Sequence, residues 1–449
     1  MPVKLAVTVP EFLDLLLDEV KRNREELAKI AGGSSTTAEW YRELVQRKWN
    51  RFPERDLESR AVYAVDSSSG TVELAGGGVL VVARSIALGI GGLQKRRLRL
   101  EAFYPKDLRD YEDYLRLLRE HLEHEVALDA LETDPEFILV DGSLYGRMIH
   151  VLKEVEIQDR EDFMFDYVEA YSDFLSAALR KGAVVVGVSK DSRSTLFKEE
   201  VLKEQVLRIA REHGLDTQDI LKLWSGLRRR PREIVEEVRR KTSSGVYPAE
   251  LYKFFEEARS PVPDSKILYH LNLGSGYTMP LLLKLSRVLA GQLDLVLDDG
   301  SVDHVERLSR VFQKTRGRIG SRFEDRARDL ISRLRNYPPV AMFYVVFESG
   351  EDPVRVDVVA RDISALSGAN GLQGDAGRFM DDKPESLLRV IALLRGMYAG
   401  IRGYNVLLLE ADRRVKISDS TLETYRGVLM RELGLFFLLS RGERRVHYP

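Results

Sequence analysis

The sequence predicts an α/β fold, a mixed sheet flanked by helices, with a helical insertion in the middle of the chain. Three observations carry this. Two β-prone runs, AVYAVDSSSG at 61–70 and FILVDGSLYG at 137–146, each pass from apolar residues into an aspartate followed by small residues. Between them, Leu115, Leu118, Leu122, Val126 and Leu131 recur near helical spacing. The second run fits a strand covered on both faces, which must stop at the edge of the core.

The elements follow in order. Residues from about 10 to 50 read as helical, with LDLLLDEV passing into a charged stretch and then AEWYRELVQRKW, and residues 1–55 form an N-terminal arm. From Val62 to about Phe103 the pattern is β: YAVDSS, TVELAGGGVLVVARSIAL and KRRLRLEAFY, joined by glycine-bearing turns as an antiparallel meander. A long helix over Leu108 to Glu132 comes next, then the FILVDGS strand, a helix over Asp162 to Lys181 and the strand AVVVGVS. Three strands, helix, strand, helix, strand is the order of an RNase H-like core, and residues 56–195 are its first part. Residues 196–338 are helix-rich, highly charged and interrupted by SSGVYP and SPVPDS, as an inserted subdomain is. Residues 339–449 complete the core with VAMFYVVFE, PVRVDVVA, a glycine-rich loop SGANGLQGDAG and a helix from about Pro384 to Met397. YNVLLLEAD, read as a strand, and a last helix from Leu422 to Leu439 close the chain.

Composition narrows the chemistry. The 449 residues contain no cysteine, so disulfides and thiolate metal sites are excluded, and oxygen or imidazole donors favour Mg²⁺ or Mn²⁺. With 69 basic against 71 acidic residues the net charge is −2, so a nucleic acid would have to be met by local basic patches. Dense Arg and Glu without cysteine is compatible with a thermophilic source. No apolar run has membrane-spanning length, and the N-terminus turns acidic and amphipathic too early for a secretory signal, so a cytoplasmic protein is expected. LDLLLDEV is expected to contact a second copy or a partner, because its polar residues are acidic.

Asp66 and Asp141 are the candidate site. An Asp-Gly pair commonly just begins a turn. In this order of elements, however, the strands bearing Asp66 and Asp141 lie side by side and both carboxylates enter one crevice, where a divalent metal relieves their repulsion. The intervening helix offers a third carboxylate: Glu123 shares a stripe with Ala127 and Ala130, whereas Glu120 and Glu125 fall farther round toward solvent. Lys190, in the segment KDSRS that also holds Arg193, follows a buried strand and could contact a scissile phosphate or be a surface lysine. Asp357 reads as the polar phase of a half-exposed strand. His121 and His124 have metal-binding spacing but no third ligand in view and are expected at the surface. Among the basic runs, LRRRPRE, VRRKTSS and VFQKTRGRIGSR, the last is the best DNA-binding candidate through Lys314, Arg316 and Arg318. Glutamates interspersed in the runs also fit solvated helix faces.

AVDSSS, the acidic helix, LVDGSLYG, GVSKDSRS and GYNVLLLEAD, in that order, resemble the NurA nucleases, which are RNase H-like, manganese-dependent DNA nucleases paired with the HerA hexameric translocase. The resemblance implies Asp66, Glu123 and Asp141 as metal carboxylates, Lys190 as the basic residue after the fifth strand, and Tyr404 as a late tyrosine. It implies Mn²⁺ (or Mg²⁺) and a homodimer docked on a HerA-type ring. The activity implied is a 5'-3' exonuclease and single-strand endonuclease, acting on single strands and duplex ends in archaeal end resection and homologous recombination. The chain departs from the family where the late segment ends in Ala411-Asp412 instead of Ala-His, which makes Asp412 a candidate fourth ligand. No Walker A pattern is present, so ATP-driven movement would come from the partner. Two other classes stay open at this point: an actin-like kinase or ATPase, which VDSSSGTVEL loosely imitates, and a non-catalytic DNA-binding subunit.

Overall fold

A computed structural model describes residues 12–433 other than 32–34, 55, 57, 58, 60, 106, 107, 149, 151, 156, 158, 228, 229, 285–302, 367–376, 401 and 402. Nearly all of the loop SGANGLQGDAG, and the expected continuation of the last helix to Leu439, lie outside the described residues. The chain opens with helices α1 (Leu13–Arg22), α2 (Arg24–Ala31) and α3 (Ser35–Gln46) and a short strand β1 (Trp49–Asn50). The meander follows as β2 (Val62–Glu73), β3 (Val79–Gly89) and β4 (Gln94–Phe103). Helix α4 (Leu108–Leu131), strand β5 (Phe137–Asp141), the short helix α5 (Leu144–Met148), helix α6 (Phe163–Lys181) and strand β6 (Val184–Ser189) come next.

The middle of the chain holds α7 (Leu196–Glu212), α8 (Thr217–Gly226), α9 (Pro231–Ser243), α10 (Ala249–Glu257) and α11 (Asp264–Leu271). Short strands β7 (Gly276–Thr278) and β8 (Leu281–Leu283) precede α12 (His304–Val311), α13 (Gln313–Ile319) and α14 (Phe323–Arg335). The last part contains β9 (Val340–Val346), β10 (Val354–Val359), α15 (Arg361–Ala365), β11 (Arg378–Phe379), α16 (Glu385–Gly396), α17 (Val406–Val415) and α18 (Asp419–Leu433).

Among the described residues one sheet runs in the order β1-β7-β9-β10-β6-β5-β2-β3-β4, with β8 pairing both β9 and β11. β2, β5 and β6 are mutually parallel in sequence along the sheet, and the remaining pairs are antiparallel. The expected mixed sheet is therefore present, and the late strands β9 and β10 extend it beyond β6. The middle segment, expected to be helical, also supplies β7 and β8 to the sheet.

Alternation assigns the two faces. Tyr63, Val65, Ile138 and Val140 pack in one core with Val126, Ala127 and Ala130 of α4 and with α7–α11. Val62, Ala64, Phe137 and Leu139 pack in the opposite core with Leu387 and Val390 of α16 and Leu408, Ala411 and Val415 of α17. Burying both faces explains why these strands carry continuous apolar runs.

Two sequence expectations are corrected. YNVLLLEAD is a helix, not a strand. Asn405 caps it by accepting hydrogen bonds from the Leu407 and Leu408 amides at 3.1 and 3.0 Å. Leu408, Ala411 and Val415 are buried along one stripe, and Glu410 pairs with Arg414 across one turn. Asp66, expected at a strand end, lies inside β2, which continues through Ser67–Glu73 to pair with β3. Only its parallel partner β5 ends there: Val65 pairs with Val140, which brings Asp66 alongside Asp141. No helix of the described residues is long and apolar enough to cross a membrane.

Candidate active site

Two glycines shape the turn after Asp141. Gly142 has φ +104°, a conformation that L side chains rarely adopt, and its amide donates to the Val188 carbonyl at 2.8 Å. On β6, a Cβ at Gly187 would stand 2.6 Å from the Gly142 carbonyl oxygen, so only glycine lets the turn lie on the sheet. Asp357 fixes the turn from the other side. Expected to be half-exposed, it is fully buried. It accepts from Ser143 Oγ at 2.6 Å and the Tyr145 amide at 3.0 Å, with Arg355 Nε 2.9 Å away to balance its charge. The expectation failed because β10 sits between β9 and β6, covered on both faces, so a polar residue there marks a buried network.

By strand alternation Asp66 and Asp141 share the face that α17 covers. That helix is fastened across the sheet by Arg84 of β3, which donates to the carbonyls of Val415 at 2.7 Å and Lys416 at 2.8 Å. Asp412 on α17 adds its charge to both aspartates. Tyr404 is buried and hydrogen-bonded to Asp141, and Lys190 Nζ stands 4.1 Å from the centre of the Tyr404 ring. Asp66 is buried, and its own carboxylate accepts from the Ser67 amide at 2.7 Å. Burial, then the charges of Glu123 and Asp141, push its carboxyl up to about 8. Burial also raises Asp141, against the opposing pull of Lys190 and Arg147.

Glu123 approaches from the α4 face. Ser85 Oγ donates to the Leu122 carbonyl at 2.9 Å and anchors the helix at this level. The Glu123 carboxylate is buried, accepts from Ser67 Oγ and is paired with Arg147 Nη2. Arg147, on α5, also donates to the Asp141 carbonyl at 3.1 Å. It lines the site and was not singled out by sequence inspection. A lone arginine six residues past Asp141 gave no signal of its own, and only the turn at Gly142 swings it back to the carboxylates.

The structure therefore brings Asp66, Glu123, Asp141, Lys190, Tyr404 and Asp412 together. Among the described residues no three carboxylate or imidazole groups form a ready metal cage. Asp66 and Asp141 project from one face of the sheet, and Glu123, which enters the same cavity from the α4 side, is engaged by Arg147 and Ser67. Even so, the donors are all hard oxygens and include buried Asp66 and half-buried Asp141, both shifted toward protonation. Such a set fits Mn²⁺ or Mg²⁺, whose charge offsets that cost.

The remaining predicted residues fall elsewhere. Arg193 is exposed in the loop after β6. Lys314, Arg316 and Arg318 lie exposed on α13, where Arg318 is paired with Glu161 at 3.2 Å and with Asp162. None of these four lines the cavity that holds Asp66, Glu123 and Asp141. His121 and His124, expected at the surface, are buried; His124 stacks on Tyr171 with ring centres 4.4 Å apart. Glu120, expected toward solvent, lies in the site cavity and pairs with His150 at 3.0 Å. Burial would raise its carboxyl, but hydrogen bonding to His150 and the charge of Arg147 hold it down at about 2. Glu125 turns away to Arg99 at 3.2 Å.

Comparison with known proteins gives a consistent picture. The family model described as the NurA domain matches residues 60–417. A crystal structure of the NurA nuclease from Sulfolobus solfataricus aligns over 95% of this chain and 97% of that one, with 15% identity and a TM-score of 0.52. A structure of NurA bound to dAMP and manganese aligns over 93% and 95%, with 17% identity and a TM-score of 0.35. No curated protein matches the sequence.

Proposed function

Because the chain belongs to the NurA nuclease family, we propose that it is a metal-dependent DNA nuclease whose centre is Asp66, Asp141 and Glu123, with Asp412 as a further ligand. One observation carries this: Asp66 and Asp141 lie side by side on adjacent parallel strands, in the electrostatic reach of Glu123 and Asp412, with Lys190 and Tyr404 at the rim. A Mn²⁺ or Mg²⁺ ion held by the two aspartates would supply the Lewis-acid charge for phosphodiester hydrolysis. Tyr404 donates to the Asp141 carboxylate and orients it. Lys190, placed by the Tyr404 ring, offers its ammonium to a scissile phosphate, and Arg193 extends that positive edge. Arg147 holds Glu123 on the opposite side until a cation competes for its oxygens. Lys314, Arg316 and Arg318 form a more distant contact for the strand.

The substrates in this proposal are single strands and duplex ends, cut 5'-3' from ends and internally in single strands. The cellular role is end resection in DNA repair and homologous recombination with a HerA-type hexameric ATPase, in the cytoplasm of an archaeal thermophile. A homodimer is supported by α1, on which Leu15, Leu16, Leu17 and Val20 are exposed and no residue is buried. The expected segments are an arm (1–55), a split core (56–195 and 339–449) and an insertion (196–338).

Incubation of the protein with Mn²⁺ and end-labelled single-stranded DNA, without ATP, tests the activity. Cleavage is expected from wild type and not from Asp141→Asn, which keeps the shape and loses the charge. ATP-dependent turnover without DNA cleavage would instead indicate the actin-like class, and DNA binding without cleavage a non-catalytic subunit.

A further inference from the structure

The cavity that holds the carboxylates, about 370 Å³ in volume, continues past them between α4 and α5. That extension is lined by Arg116, Arg119, Glu120, Arg147 and His150. Arg116, Arg119, Glu120 and Glu123 follow one another along a single face of α4 at three- and four-residue spacing. The carboxylates of the extension are already engaged: Glu120 by His150 and by Tyr167 Oη, Glu123 by Ser67 and one nitrogen of Arg147. Arg116 pairs with Asp113 at 3.1 Å, whereas the other two guanidinium groups each retain an unused donor. Arg119 Nε and Arg147 Nη1 are both buried and have no hydrogen-bond acceptor among the described residues. A buried guanidinium N–H without an acceptor is costly, and two of them on different elements, lining one cavity, call for an anion.

We infer that this extension is a subsite for the terminal 5'-phosphate of the DNA strand, seated beside the centre where the next phosphodiester is cut. The inference rests on the nuclease activity and 5'-3' polarity proposed above. Its chemistry is that of a phosphomonoester. Such a group carries up to two charges and three acceptor oxygens, enough for Arg119 and Arg147 at once. An internal phosphodiester brings one charge and two free oxygens.

The test uses the full chain with 3'-labelled single strands that differ only at the ends: 5'-phosphate, 5'-hydroxyl, or 5'-hydroxyl with 3'-phosphate. A covalently closed single-stranded circle serves as the substrate without ends. The 5'-phosphorylated strand is expected to be cut with kcat/KM about tenfold above the 5'-hydroxyl strand. In Arg119→Met that ratio should fall toward one. Binding of the same linear strands is followed by fluorescence anisotropy with Ca²⁺ in place of Mn²⁺, and tighter binding of the 5'-phosphorylated strand is expected. Equal cleavage of both 5' ends by a wild-type protein that cuts the circle overturns the subsite and leaves the nuclease intact, as does a preference for the 3'-phosphate. If neither circle nor ends are cut, the nuclease proposal fails, and equal affinities in the binding assay then overturn the subsite as well. The wild-type comparison decides without any variant, so misfolding of Arg119→Met does not weaken it.

Discussion

Asp66→Asn should stabilise the metal-free protein and destroy its response to metal. In the folded chain the Asp66 carboxyl is pushed from 3.8 up to about 8, by burial first and then by Glu123 and Asp141. A folded-state value above the unfolded one means that the proton is held more tightly in the native state. The stability this group contributes is therefore fully present below about pH 4 and is lost progressively as the pH rises toward 8. A gap of roughly four units at about 1.4 kcal/mol each caps the loss near 5–6 kcal/mol. Because neighbouring carboxylates share the same proton, roughly 2–3 kcal/mol remains for a single substitution to recover. Asparagine stays neutral, and its Oδ1 can still accept from the Ser67 amide. For a chain of this length unfolding as one unit, about 1 °C per kcal/mol follows from the unfolding entropy, so the melting temperature at pH 8 in EDTA should rise by about 2–3 °C. At pH 5 the two proteins should differ much less. On adding Mn²⁺ the order should reverse, since wild type gains binding energy that the variant lacks. Thermal melts at both pH values, with EDTA and with Mn²⁺, measure all of this. A variant no more stable than wild type at pH 8 in EDTA, or one stabilised equally by Mn²⁺, would refute the reasoning.

Three further outcomes are expected. Arg147→Met leaves Glu123 buried without its partner and should cost about 3–5 kcal/mol, whereas the double variant with Glu123→Gln should recover part of that loss; a double-mutant cycle in urea melts reads the coupling. Gly187→Ala sets a methyl group against the Gly142 carbonyl, and should displace the Asp141 turn and lower Mn²⁺-dependent cleavage far more than Gly427→Ala, exposed on helix α18, whose Cβ would meet nothing within 4 Å, lowers it; equal activity of the two variants would mean that the turn is not set by this contact. Asp412→Ala should raise the Mn²⁺ concentration needed for half-maximal cleavage, and Asp412→His should favour Mn²⁺ over Mg²⁺; metal titrations that coincide with wild type in both variants would remove Asp412 from the ligand set.

The sequence by itself determined the mixed α/β architecture and the pair at its centre. The physical reason is that buried parallel strands announce themselves as short apolar runs; Asp141 ends its run, whereas Asp66, expected to end its own, lies inside β2 and meets Asp141 because the two strands are neighbours. Glu123 was legible because three- and four-residue spacing aligned it with Ala127 and Ala130. Tertiary structure alone decided the rest. Whether VLLLEAD is helix or strand depends on its apolar stripe meeting β2 and β3, since a row of leucines fits either. Asp357 and His124 look like surface residues until the sheet and α6 close over them. Arg147 and Arg119, far apart in sequence and unremarkable in it, acquire a shared purpose only because the Gly142 turn and the Gly187 gap fold α5 back against α4. Short-range pattern encodes which face of an element is buried, but which faces meet is a property of long-range contacts.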